Sequence, residues 1–186
     1  MNIRVAKPED AKRLVEIYSY YVKETAVSFE HVVPTEEEFG NRIVNTLKEY
    51  PYLVAEEDDE IIGYVYASQF HSRIAYKHCA ELSIYLDHNK RRNGVGRALY
   101  NEIKRILLKQ NIVSLHACIA VPDDDLNYVT SDSELFHSKM GFEKVGTHSR
   151  CGYKFNRWFS IIWMDKDIAP KTSDIEPFIE FNKLSI

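Results

Sequence analysis

The chain has 186 residues, 45% hydrophobic, 28% charged and 12% aromatic, which is the composition of one globular domain with a full core of its own. A formal net charge of −4, from 24 basic and 28 acidic side chains, argues against a general nucleic-acid binder. No apolar run approaches the roughly 20 residues of a membrane helix, and three cysteines without a CxxC pair do not make a disulfide framework or a zinc ribbon. The seven histidines are scattered, with no HExxH, so no metal is expected. The opening Met1–Ala6 lacks the long apolar stretch of a signal peptide, and a reduced cytoplasmic setting is the expectation.

Taken in chain order, Ile3-Arg4-Val5 alternates as a short strand. Pro8-Glu9-Asp10 suits a helix start, and Leu14, Ile17, Tyr18 and Tyr21 follow at helical spacing. Thr35-Glu36-Glu37-Glu38 is a capping box before a second helix carrying Phe39, Ile43 and Leu47. Residues 52–56 and 61–70 are strands of a hairpin turning at Asp58-Asp59, and 80–86 is a further strand. From Gly94 a helix presents Val95, Leu99, Ile103, Ile106 and Leu107 as its buried stripe. Residues 112–120 are a strand, broken by Pro122 and three aspartates. Ser131 or Ser133 caps a short helix that ends at Gly141, and 142–149 and 158–164 are the last strands. The predicted class is α/β (α+β): about seven mostly antiparallel strands with one parallel crossover, and about four helices. Residues 1–168 are expected to form the domain, with 169–186 as an extended tail.

The charge is unevenly spread. Residues 90–109 hold seven Lys/Arg and only Glu102 in opposition, a net of +6, so the remainder nets −10. That block opens with Arg91-Arg92-Asn93-Gly94-Val95-Gly96-Arg97, between a strand and a helix. Glycines let backbone amides approach phosphate oxygens, and the free N–H groups of the first helical turn converge there. Neither a Walker loop nor a dinucleotide fingerprint is present. On spacing alone, an anion site and a plain helix start with a solvated basic face both remain open.

Arg91-x-x-Gly94-x-Gly96 resembles the Q/R-x-x-G-x-G/A signature of the GCN5-related N-acetyltransferases. More narrowly, the chain is similar to the phosphinothricin/methionine-sulfoximine branch. The similarity is carried by Tyr20-Tyr21, Ser28-Phe29-Glu30, Arg73-Ile74-Ala75-Tyr76, Glu81-Leu82-Ser83-Ile84-Tyr85-Leu86, Phe136–Phe142 and Gly152–Trp158, in that order. The resemblance implies a sheet splayed between its fourth and fifth strands, with acetyl-CoA as co-substrate in the gap. The amides of Arg91, Arg92, Asn93, Gly94, Val95, Gly96 and Arg97 are then expected at the pyrophosphate. The backbone of Ile84, Tyr85 and Leu86 is expected along the pantetheine arm.

Glu81 is implied to take the amine proton and His137 to protonate the coenzyme A thiolate; read without the resemblance, each is a paired structural residue. Arg73 and Tyr76 are implied to grip an amino-acid-like substrate, and Phe29 and Trp158 to wall its pocket, although both aromatics would serve equally as core. The branch's usual Pro-Asn-x-x-Ser is replaced here by the longer acidic loop 123–130, which leaves Asn127 and Asp132 unassigned. The expected reaction is direct transfer to a small amine in a ternary complex. Three alternatives stand beside it: transfer to a protein N-terminus or lysine, a non-catalytic acyl-CoA sensor, and a ping-pong route through Cys79, Cys118 or Cys151. A homodimer is suggested by analogy alone.

Overall fold

The computed structural model describes residues 1–90, 94–122 and 128–185. Strand β1 (Asn2–Val5) leads through a 3-10 turn at Pro8–Asp10 into helix α1 (Ala11–Glu24), followed by α2 (Glu36–Glu49). Next come β2 (Tyr52–Glu57), β3 (Glu60–Gln69), a 3-10 turn at Ile74–Tyr76, and β4 (Cys79–Leu86). Helix α3 (Val95–Lys109), β5 (Ser114–Val121), α4 (Asp132–Lys139), β6 (Glu143–Lys154) and β7 (Arg157–Asp167) complete the domain. The strands form one sheet in the order β1-β2-β3-β4-β5-β7-β6. All neighbours are antiparallel except β4 and β5, which the α3 crossover makes parallel.

Each helix buries the face its spacing dictates. Leu14, Ile17, Tyr18 and Tyr21 of α1 meet Phe39 and Ile43 of α2 and Tyr52, Val54 and Tyr64 on one face of the sheet. On the other face, Val95, Leu99, Ile103, Ile106 and Leu107 of α3 pack on Leu53, Val65, Leu82, Leu115 and Ile162. Each such Leu or Ile contributes about 1.5–3 kcal/mol on burial. Thr35 caps α2 through its side chain, which accepts from the Glu38 N–H at 3.1 Å. Only half of the predicted box forms, because the Glu38 carboxylate turns instead to Arg42 at 2.6 Å. The Asp58-Asp59 turn has φ of 51° and 63°, the left-handed pair that a two-residue hairpin requires.

Three expectations change. β6 does not stop at Ser149 but runs to Lys154 and turns at Phe155-Asn156, with φ of 50° and 58°. That hairpin lacks the usual Asn-Gly signal, and β6 slips register between His148 and Gly152, which hides the alternation. β5 begins at Ser114 rather than Ile112. Ser131, not Ser133, precedes α4, and its side chain makes no cap.

The tail packs against the domain. Phe181 is buried, and Phe178 packs on Tyr50 with ring centroids 5.4 Å apart. The Gln110 amide donates to both Glu49 O and Ile179 O at 2.7 Å, tying the tail to the ends of α2 and α3.

Candidate active site

The register of β4 and β5 creates the site. They pair over only three rungs, Cys79↔Ser114, Ala80↔Leu115 and Glu81↔His116. Beyond Glu81 the strands part, and the β4 edge from Leu82 to Leu86 faces a gap instead of a neighbour. A cleft of about 750 Å³ occupies the opening, with Ile84 and Leu86 on its wall. Gly94 begins α3 at φ 79°, a conformation that costs a side-chain-bearing residue roughly 1–2 kcal/mol. Its turn aims the start of the helix at the cleft, so Gly94, Val95, Gly96 and Arg97 line it. The first-turn N–H groups have no intrahelical acceptor and carry the positive end of the helix dipole. Gly96 has a second reason to be glycine: a Cβ there would lie 3.1 Å from the Phe136 ring of α4. Arg91, Arg92 and Asn93 lie outside the described residues.

The basic block divides by partner. Lys90 pairs with Glu60 at 2.5 Å and Arg105 with Glu102 at 2.6 Å, both away from the cleft. Arg97 lines the cleft, joined by Lys139 of α4, a charge that the sequence motif did not include. Tyr20, Tyr21 and Glu24 of α1, Thr25 just after it, and Ser133 and Phe136 of α4 also line it. The Tyr21 hydroxyl donates to Leu86 O at 2.6 Å, so one β4 carbonyl expected along the pantetheine arm is already bonded. Tyr85 contributes backbone only. Its ring turns to the other face, between Tyr18 and Tyr21 at 5.0 and 5.1 Å.

Glu81 is on that other face, at the last rung before the strands part. Burial raises its carboxyl above the ordinary glutamate value. One row along on this face, Tyr66 stands opposite Ser83. A second cavity of about 300 Å³ lies beyond, among Tyr18, Tyr52, Tyr64, Tyr66 and Tyr85, with Arg42 at its side. The Arg42 guanidinium is held by Glu30 at 2.7 Å and Glu38 at 2.6 Å.

His137 is buried in α4, with both ring nitrogens engaged. Nδ1 donates to Ser133 O at 2.7 Å, which leaves Nε2 to accept from the Tyr100 hydroxyl at 2.6 Å. Burial pushes its pKa down, so the ring is neutral, and it stands behind the cleft wall rather than on it. Arg73 and Tyr76 are on the β3–β4 connection, Arg73 exposed and Tyr76 against Phe70 and His71. Phe29 packs across Gly152 toward Phe159, in a small cluster with Ala26, Ala120 and Val129. Trp158, half exposed, leans on Tyr153 at the start of β7. The structure thus gathers Ile84, Leu86, Gly94, Val95, Gly96 and Arg97 around one cleft and leaves Tyr85, Glu81, His137, Phe29, Arg73, Tyr76 and Trp158 off its lining. Sequence reasoning missed Lys139 and the α1 contribution. Only the placement of α1 and α4 against the gap reveals them.

Neither Cys79 nor Cys118 is prepared as a nucleophile. Burial raises both thiols, Cys118 to about 11. His78, beside Cys79 in sequence, hydrogen-bonds Asn111 O through Nδ1 at 2.8 Å.

A seven-stranded sheet opened between parallel β4 and β5, with a glycine-turned helix aimed into the opening, defines an acyl-coenzyme A-dependent acyltransferase. Residues 3–163 match the acetyltransferase (GNAT) domain, and the chain belongs to that family of acetyl-CoA-dependent N-acetyltransferases. It is 30% identical over 168 residues to a phosphinothricin N-acetyltransferase of Alcaligenes faecalis, covering 90% of this chain and 82% of that one. It is 26% identical over 175 residues to the L-methionine sulfoximine/L-methionine sulfone acetyltransferase of Salmonella typhimurium, covering 91% and 98%. A crystal structure of a phosphinothricin acetyltransferase from Sinorhizobium meliloti in complex with acetyl-CoA superimposes with a TM-score of 0.83 at 28% identity, covering 97% of each chain. The residues present suit acetyl-CoA. The unpaired β4 edge offers backbone partners to an amide-bearing arm, and the α3 start with Arg97 and Lys139 offers donors and charge to phosphates.

Proposed function

We propose that the protein moves the acetyl group of acetyl-CoA directly to the amine of a small amino-acid-like substrate, of the phosphinothricin or methionine sulfoximine/sulfone type. The observation that carries this is Glu81: a carboxylate raised by burial, on the last β4–β5 rung, where the sheet opens. A base raised toward working pH accepts an ammonium proton better than an ordinary surface glutamate does. The relatives named for phosphinothricin and methionine sulfoximine support a small acceptor. The raised Cys79 and Cys118 thiols support direct transfer over an acyl-enzyme.

Arg73 and Tyr76, on one short connection, hold the acceptor's carboxylate, and Phe29 and Trp158 close its apolar side. The amides of 91–93, with Gly94, Val95, Gly96 and Arg97, hold the pyrophosphate. Both nitrogens of His137 are engaged, Nδ1 with Ser133 O and Nε2 with the Tyr100 hydroxyl, so protonating the thiolate would require one of these bonds to open. Residues 1–168 form the catalytic domain and 169–186 a tail that straps it; the protein works in the cytoplasm and pairs as a homodimer.

The deciding experiment is a thiol-release screen with acetyl-CoA and methionine sulfone, methionine sulfoximine, phosphinothricin, amino acids, polyamines and short peptides. Turnover confined to the amino-acid-like amines is expected. Acetyl-CoA binding with no thiol release for any amine would overturn the enzymatic reading, and turnover with peptides alone would overturn the small substrate.

A further inference from the structure

The sheet face that carries Glu81 also carries a histidine–aspartate hydrogen bond that the proposed function does not use. His116 of β5 is the direct partner of Glu81 on the last rung before the strands part. Partners on one rung present their side chains to the same face of the sheet. His116 is 7% exposed. Its Nδ1 lies 2.8 Å from Oδ1 of Asp165, its partner across the β5–β7 pairing. Phe70 stacks on the ring at 3.8 Å and 12°, which fixes its plane. A carboxylate only accepts, so Nδ1 carries the hydrogen and Nε2 the lone pair. That Nε2 is fully buried and has no hydrogen-bond partner among the described residues.

An unmet buried acceptor costs about 1–3 kcal/mol, and histidines held for structure alone are normally satisfied at both nitrogens. His137 of the same chain is satisfied at both. His116 is instead oriented at one nitrogen and left bare at the other, beside the candidate base.

We propose that His116, oriented by Asp165, is a second proton acceptor of the acceptor site. The ammonium N–H bond breaks as Glu81 takes the proton. Glu81 passes that proton to Nε2 of His116, its partner on the rung, and the resulting imidazolium rests against the Asp165 carboxylate until the proton returns by way of the half-buried Glu81. No electrons change hands, and Glu81 returns to its ionised form. Histidine suits the task because it gains and loses a proton near neutral pH. This inference rests on the acetyl-transfer function proposed above.

Among the described residues, other ionisable groups toward this face include Cys79 and Tyr85 on β4, Tyr66 on β3, Cys118 on β5, Asp167 on β7 with its partner Lys171, and Glu143 and His148 on β6. His71 and Tyr76 flank Phe70. The substitution Asp165→Asn leaves all of them in place, which makes it the cleanest probe.

Two measurements decide it. The first needs no turnover: nitrogen NMR of the imidazole rings in the wild-type protein and in Glu81→Gln. The expected His116 signature is hydrogen on Nδ1, a bare Nε2, and an Nε2 resonance that moves in the variant. Hydrogen on Nε2, or a ring indifferent to Glu81→Gln, overturns the proposal. The second is kcat with methionine sulfone and acetyl-CoA. His116→Gln is expected to lower kcat about tenfold or more, the range of a lost proton-transfer group, with acetyl-CoA affinity within about twofold of wild type. Asp165→Asn should lower kcat in the same sense with acetyl-CoA affinity unchanged, because the ring loses the carboxylate that holds Nδ1. A normal kcat in both variants overturns the role. Absence of turnover in the wild type would instead sink the acetyl-transfer function and leave the NMR measurement to decide His116.

Discussion

The cofactor side of the cleft is made mostly of backbone: an unpaired strand edge at Leu82–Leu86 and the first turn of α3 behind Gly94. The proposed acceptor side is made of side chains on the opposite sheet face, namely Glu81, His116 and the tyrosine rings. Backbone recognition suits a constant ligand, since every acetyl-CoA presents the same amides and phosphates. Side-chain recognition suits a ligand that changes from one family member to the next. The two sides meet at a single rung, Glu81↔His116, where strand pairing ends. Substitutions on one side should therefore leave the other side's measurement intact, and each prediction below either separates the two or merges them.

The largest separation is expected from Glu81→Gln. Turnover with methionine sulfone should fall about a hundredfold or more while acetyl-CoA affinity, read by calorimetry, changes less than about twofold. Stability gives a second readout. Burial raises Glu81 in the folded state, so its ionised form is a cost present above the unfolded value and absent once both states are protonated. Glu81→Gln should thus melt no lower than wild type at pH 7, with any gain vanishing at acid pH. A large loss of acetyl-CoA affinity would merge the two sides.

The reverse pattern is expected from Gly96→Leu. The new side chain meets Phe136 and shifts α3 against α4, so acetyl-CoA affinity should drop about tenfold, with overpacking costing about 1–3 kcal/mol in a melt. A smaller effect comes from Arg97→Ala. Affinity should fall a few-fold at low salt and less at high salt, because a partly screened phosphate contact is lost. Thr35→Ala is the smallest: about 1 kcal/mol of stability from the lost α2 cap, and no change in kcat or acetyl-CoA affinity.

The same contrast explains what the sequence disclosed. The order of strands and helices was legible because Leu14–Tyr21 and Val95–Leu107 repeat at helical spacing and 61–67 is a short, near-continuous run of apolar and aromatic residues. The cofactor side was legible because backbone sites need glycines in fixed places, and Gly94 and Gly96 stand where the chain must turn and where two helices must close. The acceptor side was only partly legible. Glu81 stood out through the family motif, but His116 carries no local signal. Its partners Asp165, Phe70 and Glu81 are 49, 46 and 35 positions away in sequence, and only the sheet order brings them together. Lys139 stayed hidden for the same reason. His137 shows the converse: its sequence neighbourhood matched the family, yet the fold spends both of its ring nitrogens on Ser133 and Tyr100. The β6–β7 turn was missed because Phe155-Asn156 takes the left-handed pair without a glycine.

The central claim is that a buried carboxylate at the end of the β4–β5 pairing drives amine acetylation. Its most direct test is the pH dependence of amine-dependent thiol release, at saturating acetyl-CoA, in wild type and Glu81→Gln. The wild type should show an acid limb above the ordinary carboxylate value, and the variant should be slow throughout with that limb gone. A variant that keeps the wild-type rate and the same limb would contradict the claim.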